Sequence, residues 1–187
     1  NAFQLSKKFN RKLFISDKNP SSRKSYWDSI FLPIKSNLIT NDQYNKLREK
    51  SNNYNWAARR FEFKEIILDS KINCYNIDGY YQSYKYFDIE YFKKYLNLNY
   101  NQDKYVINSN DVAVHIRRTD YTKHNSHKLL SLNYYYNCIK DIQKKKNINN
   151  IYIFSDDINW CKNNFKWENV SFVHLNNEIN EFVFMTK

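Results

Sequence analysis

The segment DVAVHIRRTDYTKHNS, residues 111–126, places four side chains with useful chemistry close together: His115, Arg117, Arg118 and Asp120. Arginine offers a planar fork of N–H donors that binds phosphate in a bidentate manner and stays protonated. A preorganised guanidinium also stabilises the charge that develops on a departing diphosphate, typically by about 3 kcal/mol. The segment therefore predicts a site for a phosphate-bearing ligand.

A second polar cluster, Ser155, Asp156 and Asp157, follows the apolar run IYIF. Ligands of open α/β sheets bind beyond the carboxyl ends of the strands, so two neighbouring strands with polar ends predict one shared site. The structural alternative is that Arg117 or Arg118 pairs with an aspartate only to hold the strand ends together. Asp156 and Asp157 are equally typical of a helix N-cap.

The elements that position these clusters alternate between strand and helix from residue 111 onward. The hydrophobic patterns predict strands at 112–118, 150–156 and 170–175, and helices at 131–146, 157–165 and 179–187. Ser131 and Asp157 are expected to cap two of these helices. Such an order predicts an α/β fold with a parallel, Rossmann-type sheet. If the first strand stays extended, His115 and Arg117 lie on the same face as Ala113.

The first half of the chain is less regular, and its patterns favour helices. Helices are predicted at 2–9, 41–50 and 86–98 and a short strand at 12–17, while 62–69 fits either state. We place a boundary near residue 105, which gives an N-terminal half at 1–105 and a C-terminal half at 106–187. Trp56 lies in an irregular stretch, where it either stacks on a sugar or packs in the core.

The composition limits the class of protein. The 187 residues carry a formal net charge of +11, which favours anionic partners, although lysines on solvated faces explain much of it. Gly79 is the only glycine, which excludes a Gly-rich phosphate loop within this sequence. The three cysteines lack CxxC spacing and predict neither a disulfide framework nor a zinc site. No stretch reaches the ~20 apolar residues of a membrane span.

Three segments then resemble one family, the α-1,2-fucosyltransferases of glycosyltransferase family 11. They are VHIRRTDY at 114–121, IYIFSDDINWCKNNF at 151–165 and IDGYYQSYKYF at 77–87. They occur in the family's order. The resemblance implies a GT-B-like fold of two Rossmann-like halves, with the acceptor on the N-terminal half and the nucleotide sugar on the C-terminal half.

The activity implied by this resemblance is an inverting transfer of L-fucose from GDP-fucose to a galactose-terminated glycan, giving an α-1,2 linkage. No cofactor and no metal are implied. GDP-mannose is an alternative donor.

The alternative class of protein is a basic module that binds nucleic acid or an anionic glycan without catalysis. A bacterial protein is implied, in the cytoplasm or peripheral on the cytoplasmic membrane face, that acts in surface-glycan synthesis.

The resemblance also implies roles for individual residues. Arg117 and Arg118 hold the GDP phosphates, and Arg117 is the more essential of the two. The remaining donor-site residues are His115, Ser155, Asp156 and Asp157, with an aspartate at the guanine or ribose edge. Tyr81, Gln82 and Lys85 lie on the acceptor side. Asp120 either takes the proton of the acceptor hydroxyl or orients an arginine.

Two features depart from the family pattern. Thr119 stands where the family usually has glycine, which costs ~1–2 kcal/mol if the position needs a positive φ. The Gly-rich loop expected before residue 2 and the donor-site segment expected after residue 187 are absent from this sequence. We therefore expect the chain to be a piece of a longer protein, whose missing ends are needed for turnover.

Overall fold

The computed structural model describes residues 2–18, 25–55, 63–78, 81, 83–99, 105–123, 128–175 and 177–187. The chain divides into two compact units, Asn1–Leu98 and Asn99–Lys187. The assignment of an acceptor half and a donor half to residues 1–105 and 106–187 stays a prediction.

The second unit contains a three-stranded parallel sheet. Its strands are β5 (Val112–Ile116), β6 (Ile151–Ser155) and β7 (Val170–Phe172), in the order β5-β6-β7. Helices α4 (Leu132–Gln143), α5 (Ile158–Asn164) and α6 (Glu178–Met185) each follow one strand. The predicted alternation of parallel strands and helices is confirmed, and it makes this unit an α/β fold.

Strand β6, the middle strand of the sheet, is buried on both faces because helices pack against each of them. Ile151 and Ile153 join a cluster with residues of α4 and α5, whereas Tyr152 and Phe154 pack on the opposite face with Phe184 of α6. A continuous apolar run is typical of a parallel strand covered on both sides. The core of the unit therefore forms two apolar layers around one central strand.

Hydrogen-bonded caps explain where two of the helices begin. The Ser131 side chain accepts a hydrogen bond from the Tyr134 amide at 3.3 Å, and Asp157 accepts one from the Trp160 amide at 3.2 Å. Both predicted N-caps are confirmed. Each satisfies a backbone donor that has no partner within the helix.

The first unit contains α1 (Ala2–Lys8), β1 (Ile15–Ser16), β2 (Leu38–Ile39), α2 (Asn41–Glu49), β3 (Asn52–Asn55), β4 (Tyr75–Asp78) and α3 (Ile89–Lys93). Strands β1 and β2 pair in parallel, as do β3 and β4. The predicted helices α1 and α2 and the short strand β1 are confirmed. The two small sheets correct the expectation of a mainly helical half.

Two predictions in this unit were wrong. The helix expected over 86–98 spans only Ile89–Lys93. Asp88 caps its start by accepting a hydrogen bond from the Tyr91 amide at 2.9 Å, and beyond its end the Tyr95 and Leu96 amides bond three residues back, as in turns. The described part of 62–69 is neither helix nor strand; Ile66 is buried there, whereas Ile67 is exposed. Among the described residues, no helix has the length and apolar character needed to cross a bilayer.

Candidate active site

The structure places the two polar clusters side by side at one edge of the sheet. Ile116 and Ser155 form the last residue pair between β5 and β6. The turn that follows β5, residues 117–123 and here called the β5 turn, therefore starts beside Asp156 and Asp157. The strand ends at Ile116, one residue before Arg117, so strand alternation no longer fixes the direction of the Arg117 side chain.

Arg117 is paired with Asp120 within the β5 turn. Its Nε donates to the two carboxylate oxygens at 2.9 and 3.2 Å, and its Nη2 also donates to Oδ2. Both side chains are about two-fifths exposed, at 39% and 41%. These hydrogen bonds lower the pKa of Asp120 to about 2 and raise that of Arg117. The pair is thus open to a ligand, and Asp120 is ionised at neutral pH.

Arg118 has different partners and is more enclosed. Its Nε donates to Asp157 Oδ2 at 3.4 Å, and its guanidinium carbon lies 3.6 Å from the centre of the Trp160 ring. Only 16% of its side chain is exposed. Stacking on tryptophan is a favourable cation–π contact that holds the guanidinium plane. The two adjacent arginines are therefore fixed by separate sets of contacts.

The two carboxylate oxygens of Asp157 accept hydrogen bonds from different partners, one in helix α5 and the other Arg118. Its Oδ1 accepts the capping hydrogen bond from Trp160, whereas its Oδ2 accepts the bond from Arg118. The cap and the ion pair therefore do not compete for the same lone pairs. One residue fixes both the start of α5 and the position of Arg118.

Asp156 joins the end of β6 to the β5 turn. Its Oδ1 accepts from the Arg118 amide at 2.8 Å, and its Oδ2 accepts from the Thr119 amide at 3.1 Å and from the Thr119 hydroxyl at 2.6 Å. Partial loss of water around the carboxylate acts to raise the pKa of Asp156, but these hydrogen bonds outweigh it and the pKa is lowered. A contact of Asp156 or Asp157 with a guanine or ribose stays a prediction.

Thr119 carries no conformational penalty. The described non-glycine residues with positive φ are Asn10, Tyr81 and Asn169, and Thr119 is not among them. The cost considered for a β-branched residue at this position therefore does not arise. The threonine instead supplies a hydroxyl donor that glycine lacks.

The other predicted donor-site residues lie at the same edge. His115 is exposed and shares its face of β5 with the exposed Ala113, opposite the face that packs on the core. The Ser155 hydroxyl accepts a hydrogen bond from the Asp157 amide at 3.0 Å. His115 is therefore open to a ligand, whereas Ser155 supports the turn into α5. Their contacts with a nucleotide stay predictions.

The predicted acceptor-side residues belong to the first unit. Tyr81 has a φ of 46° and packs edge-on against the buried Tyr86 at 5.3 Å. Lys85 is exposed, and its Nζ lies 5.6 Å from the centre of the Phe63 ring. Gln82 and Trp56 lie outside the described residues. The structure thus shows packing for Tyr81, and the acceptor-side assignment stays a prediction.

Two contributors to the site were missed from the sequence: Trp160 as the stacking partner of Arg118, and Thr119 as a donor to Asp156. Trp160 carried a usable signal, because a residue three positions after an N-cap lies in the first turn of the helix, beside the capping side chain. Thr119 carried none, since its contact depends on the pairing of two strands distant in sequence.

A half-open hollow of about 300 Å³ lies at the opposite edge of the sheet. Its lining residues precede or begin β6 and β7: Ile148, Ile151, Lys166, Trp167, Glu168 and Asn169, together with Gln143 of α4. Ligands of parallel α/β sheets bind at the carboxyl ends of the strands, so this hollow is not the candidate site. Within the described ranges, no three His, Cys, Asp or Glu side chains converge as metal ligands would.

The fold and the site together define an α/β protein with two arginines and three aspartates gathered at the carboxyl ends of its strands. Comparison with known proteins names the family. Residues 24–187 match the model for Glycosyl transferase family 11, and the chain belongs to this family.

A characterised relative is the Alpha-1,2-colitosyltransferase of Escherichia coli. It is 30% identical over 122 residues, a match that covers 57% of this chain and 42% of that protein. The matched region is thus less than half of the relative's length. No solved structure matches the chain significantly.

Proposed function

We propose that the protein transfers L-fucose from GDP-fucose to a galactoside hydroxyl, with inversion, and so forms an α-1,2 linkage. The observation that carries this proposal is the paired arginines at the end of β5, beside the carboxylates that end β6, in a chain of family 11. Two guanidiniums at the carboxyl ends of parallel strands suit a nucleoside diphosphate.

In the proposed reaction, the acceptor hydroxyl oxygen attacks the anomeric carbon of fucose as the bond from that carbon to the diphosphate oxygen breaks. The electron pair of the broken bond stays on GDP, and the proton of the acceptor hydroxyl passes to solvent water. Arg117 stabilises the developing charge because its exposed guanidinium can exchange Asp120 for phosphate oxygens. Arg118 adds a second, fixed positive charge, and His115 lies against the nucleotide. Two guanidiniums neutralise the diphosphate, so the proposed mechanism needs no metal and no cofactor.

Asp120 has two proposed roles, of which the orientation of Arg117 is better supported. A general base works best with a pKa near the working pH, whereas the hydrogen bonds from Arg117 lower the pKa of Asp120 to about 2 while the two are paired. Its hydrogen bonds to Nε and Nη2 fix the plane of the guanidinium instead. We therefore assign Asp120 to positioning Arg117 in the protein before the donor binds.

The proposal extends to the whole architecture. We infer a GT-B arrangement in which the second unit binds the nucleotide sugar and the first contributes the acceptor side, with Tyr81, Gln82 and Lys85. The presence of two compact units supports it. The composition and the family support a bacterial source, and the +11 charge supports a peripheral position on an anionic cytoplasmic membrane face.

Transfer of colitose is a second candidate, favoured by the colitosyltransferase relative. Colitose is L-fucose without its 3-hydroxyl, so both sugars present the same anomeric centre. A site that hydrogen-bonds the 3-hydroxyl rejects the deoxy sugar strongly, whereas a site without such a contact accepts both. The preference between the two donors therefore depends on whether the site hydrogen-bonds the 3-hydroxyl of the sugar.

The test is turnover by the purified full-length protein. GDP-fucose, GDP-colitose and GDP-mannose are each offered with a panel of β-galactosides, and NMR determines the linkage and anomeric configuration. We expect an α-1,2 product from GDP-fucose. A preference for either other donor would replace the proposed sugar. An absence of GDP binding together with tight oligonucleotide binding would overturn the transferase proposal in favour of a nucleic-acid-binding module.

A further inference from the structure

We propose that Thr119 and Asp156 are positioning residues of the donor site, because their hydrogen bonds fix the β5 turn to the end of β6. This inference rests on the proposed function, since it concerns how that site keeps its arginines in place. It assigns Asp156 to the protein frame and not to the nucleotide. It also assigns a role to the Thr119 hydroxyl, which is to hold the β5 turn beside the end of β6.

The carboxylate of Asp156 is nearly saturated. A carboxylate offers about four lone-pair sites on its two oxygens. Three are used by the Arg118 amide, the Thr119 amide and the Thr119 hydroxyl. The hydroxyl bond, at 2.6 Å, has the short length typical of a donor to an ionised oxygen. Little acceptor capacity is left for the edge of a base or a ribose.

The β5 turn moves as one piece because it is hydrogen-bonded within itself. The Thr122 amide donates to the Arg118 carbonyl at 2.9 Å. The Lys123 amide donates to the Asp120 carbonyl at 3.1 Å. Arg117 and its partner Asp120 are both carried on this turn. A shift of the turn relative to β6 therefore displaces the phosphate-binding guanidinium and its orienting carboxylate together.

The exposure of Thr119 and Asp156 distinguishes a positioning role from a contribution to the stability of the whole protein. Thr119 and Asp156 are both exposed, so the loss of one hydroxyl there leaves the apolar core intact. A misplacement of about 1 Å at a reacting group can nevertheless lower a rate by about 100-fold. The effect of the hydroxyl is therefore expected in donor binding and in local backbone protection, with little change in the melting temperature.

The experiment compares three variants of the purified protein. Thr119→Val keeps the shape of the side chain and removes the donor, whereas Thr119→Ser keeps the donor. Thr122→Val is the matched control, because it removes a hydroxyl from the same turn without breaking a contact to β6. GDP affinity is measured by calorimetry, and amide hydrogen exchange is followed for residues 117–123.

We expect Thr119→Val to weaken GDP binding about tenfold, the size of one charge-assisted hydrogen bond, and to speed exchange at the Arg118 and Thr119 amides. Thr119→Ser and Thr122→Val should bind GDP within about threefold of the wild type, since both keep the hydroxyl of residue 119 that donates to Asp156. Wild-type affinity and protection in Thr119→Val would overturn this inference alone. Failure of the wild type to bind GDP would instead overturn the proposed function, and this inference with it.

Discussion

Asp157 allows a direct test of two functions carried by one carboxylate. Its Oδ1 caps α5, and its Oδ2 accepts the hydrogen bond from Arg118. Asparagine is as good an N-cap as aspartate, but its amide nitrogen is a donor and cannot pair with a guanidinium. Asp157→Asn therefore removes the ion pair and keeps the cap, whereas Asp157→Ala removes both.

The magnitudes follow from the two contacts. Loss of an N-cap costs about 1 kcal/mol of unfolding free energy. The Arg118 pair is partly exposed, at 16% and 33%, and its 3.4 Å separation is long. Such a pair contributes about 0.5 kcal/mol. Asp157→Ala should thus lose about 1.5 kcal/mol and Asp157→Asn about 0.5 kcal/mol, which for a chain of this size corresponds to melting temperatures lower by about 3–6 °C and 1–2 °C.

The assay pairs thermal unfolding with GDP titration of the same samples. Both variants should weaken GDP binding by about two- to fivefold, since each releases Arg118 from its carboxylate while Trp160 still holds the ring contact. An Asp157→Asn variant as unstable as Asp157→Ala would refute the separation of cap and pair. Unchanged GDP affinity in both variants would refute a contribution of this pair to donor binding.

The remaining predictions concern the two arginines and their partners. Arg117→Ala should lower kcat/KM for GDP-fucose by about 100- to 1,000-fold, and Arg117→Lys by less, because lysine keeps the charge but loses the fork; steady-state kinetics checks both. The pKa of Asp120 is depressed to about 2, so its contribution to stability is complete above about pH 4 and is lost as pH falls towards 2. Acid unfolding of wild type and Asp120→Asn should therefore converge near pH 2, and an acid limb of wild-type kcat/KM above pH 5 that is missing in Asp120→Asn would contradict the positioning role. Trp160→Leu should weaken GDP binding more than Trp160→Phe, which keeps a ring beneath Arg118.

Much of the second unit could be predicted because its local signals agree with one another. The run IYIF forms a strand buried on both faces, and Ser131 and Asp157 cap the helices that follow the first two strands. Each signal lies within a few residues of the element it defines. Such local signals predict the folded structure correctly because tertiary packing favours the same elements.

The first unit was harder to predict, for reasons visible in particular residues. Strand β3 has the sequence NNYN, and its pairing with β4 depends on a partner distant along the chain. Asparagine is depleted in β-strands, so no local sequence pattern predicts strand β3. In 86–98 the aromatic spacing resembled a long helix, but the side chain of Asp88 caps a shorter one.

The pairing of arginines with aspartates could not be assigned from sequence, because it depends on where β5 ends. An extended strand through Arg118 would have sent the two arginines to opposite faces. The strand stops at Ile116, and the β5 turn then brings Asp120 to Arg117, while the register with β6 brings Asp157 to Arg118. A difference of two residues in strand length thus decides which carboxylate each guanidinium meets.

The different contacts of Arg117 and Arg118 suit the proposed donor site, because such a site benefits from two arginines that are not equivalent. Arg118 is stacked and paired, so it offers a fixed positive charge whose conformational entropy is already lost before a ligand arrives. Arg117 is exposed, and its partner lies on the same turn, so a diphosphate can replace Asp120 without moving the backbone. In the proposed donor site, the fixed guanidinium would supply a preorganised field, and the exchangeable one would supply the bidentate contact to the diphosphate. A salt bridge that only held the strand ends together would leave neither arginine available, whereas the exposed Arg117–Asp120 pair leaves one open to a ligand.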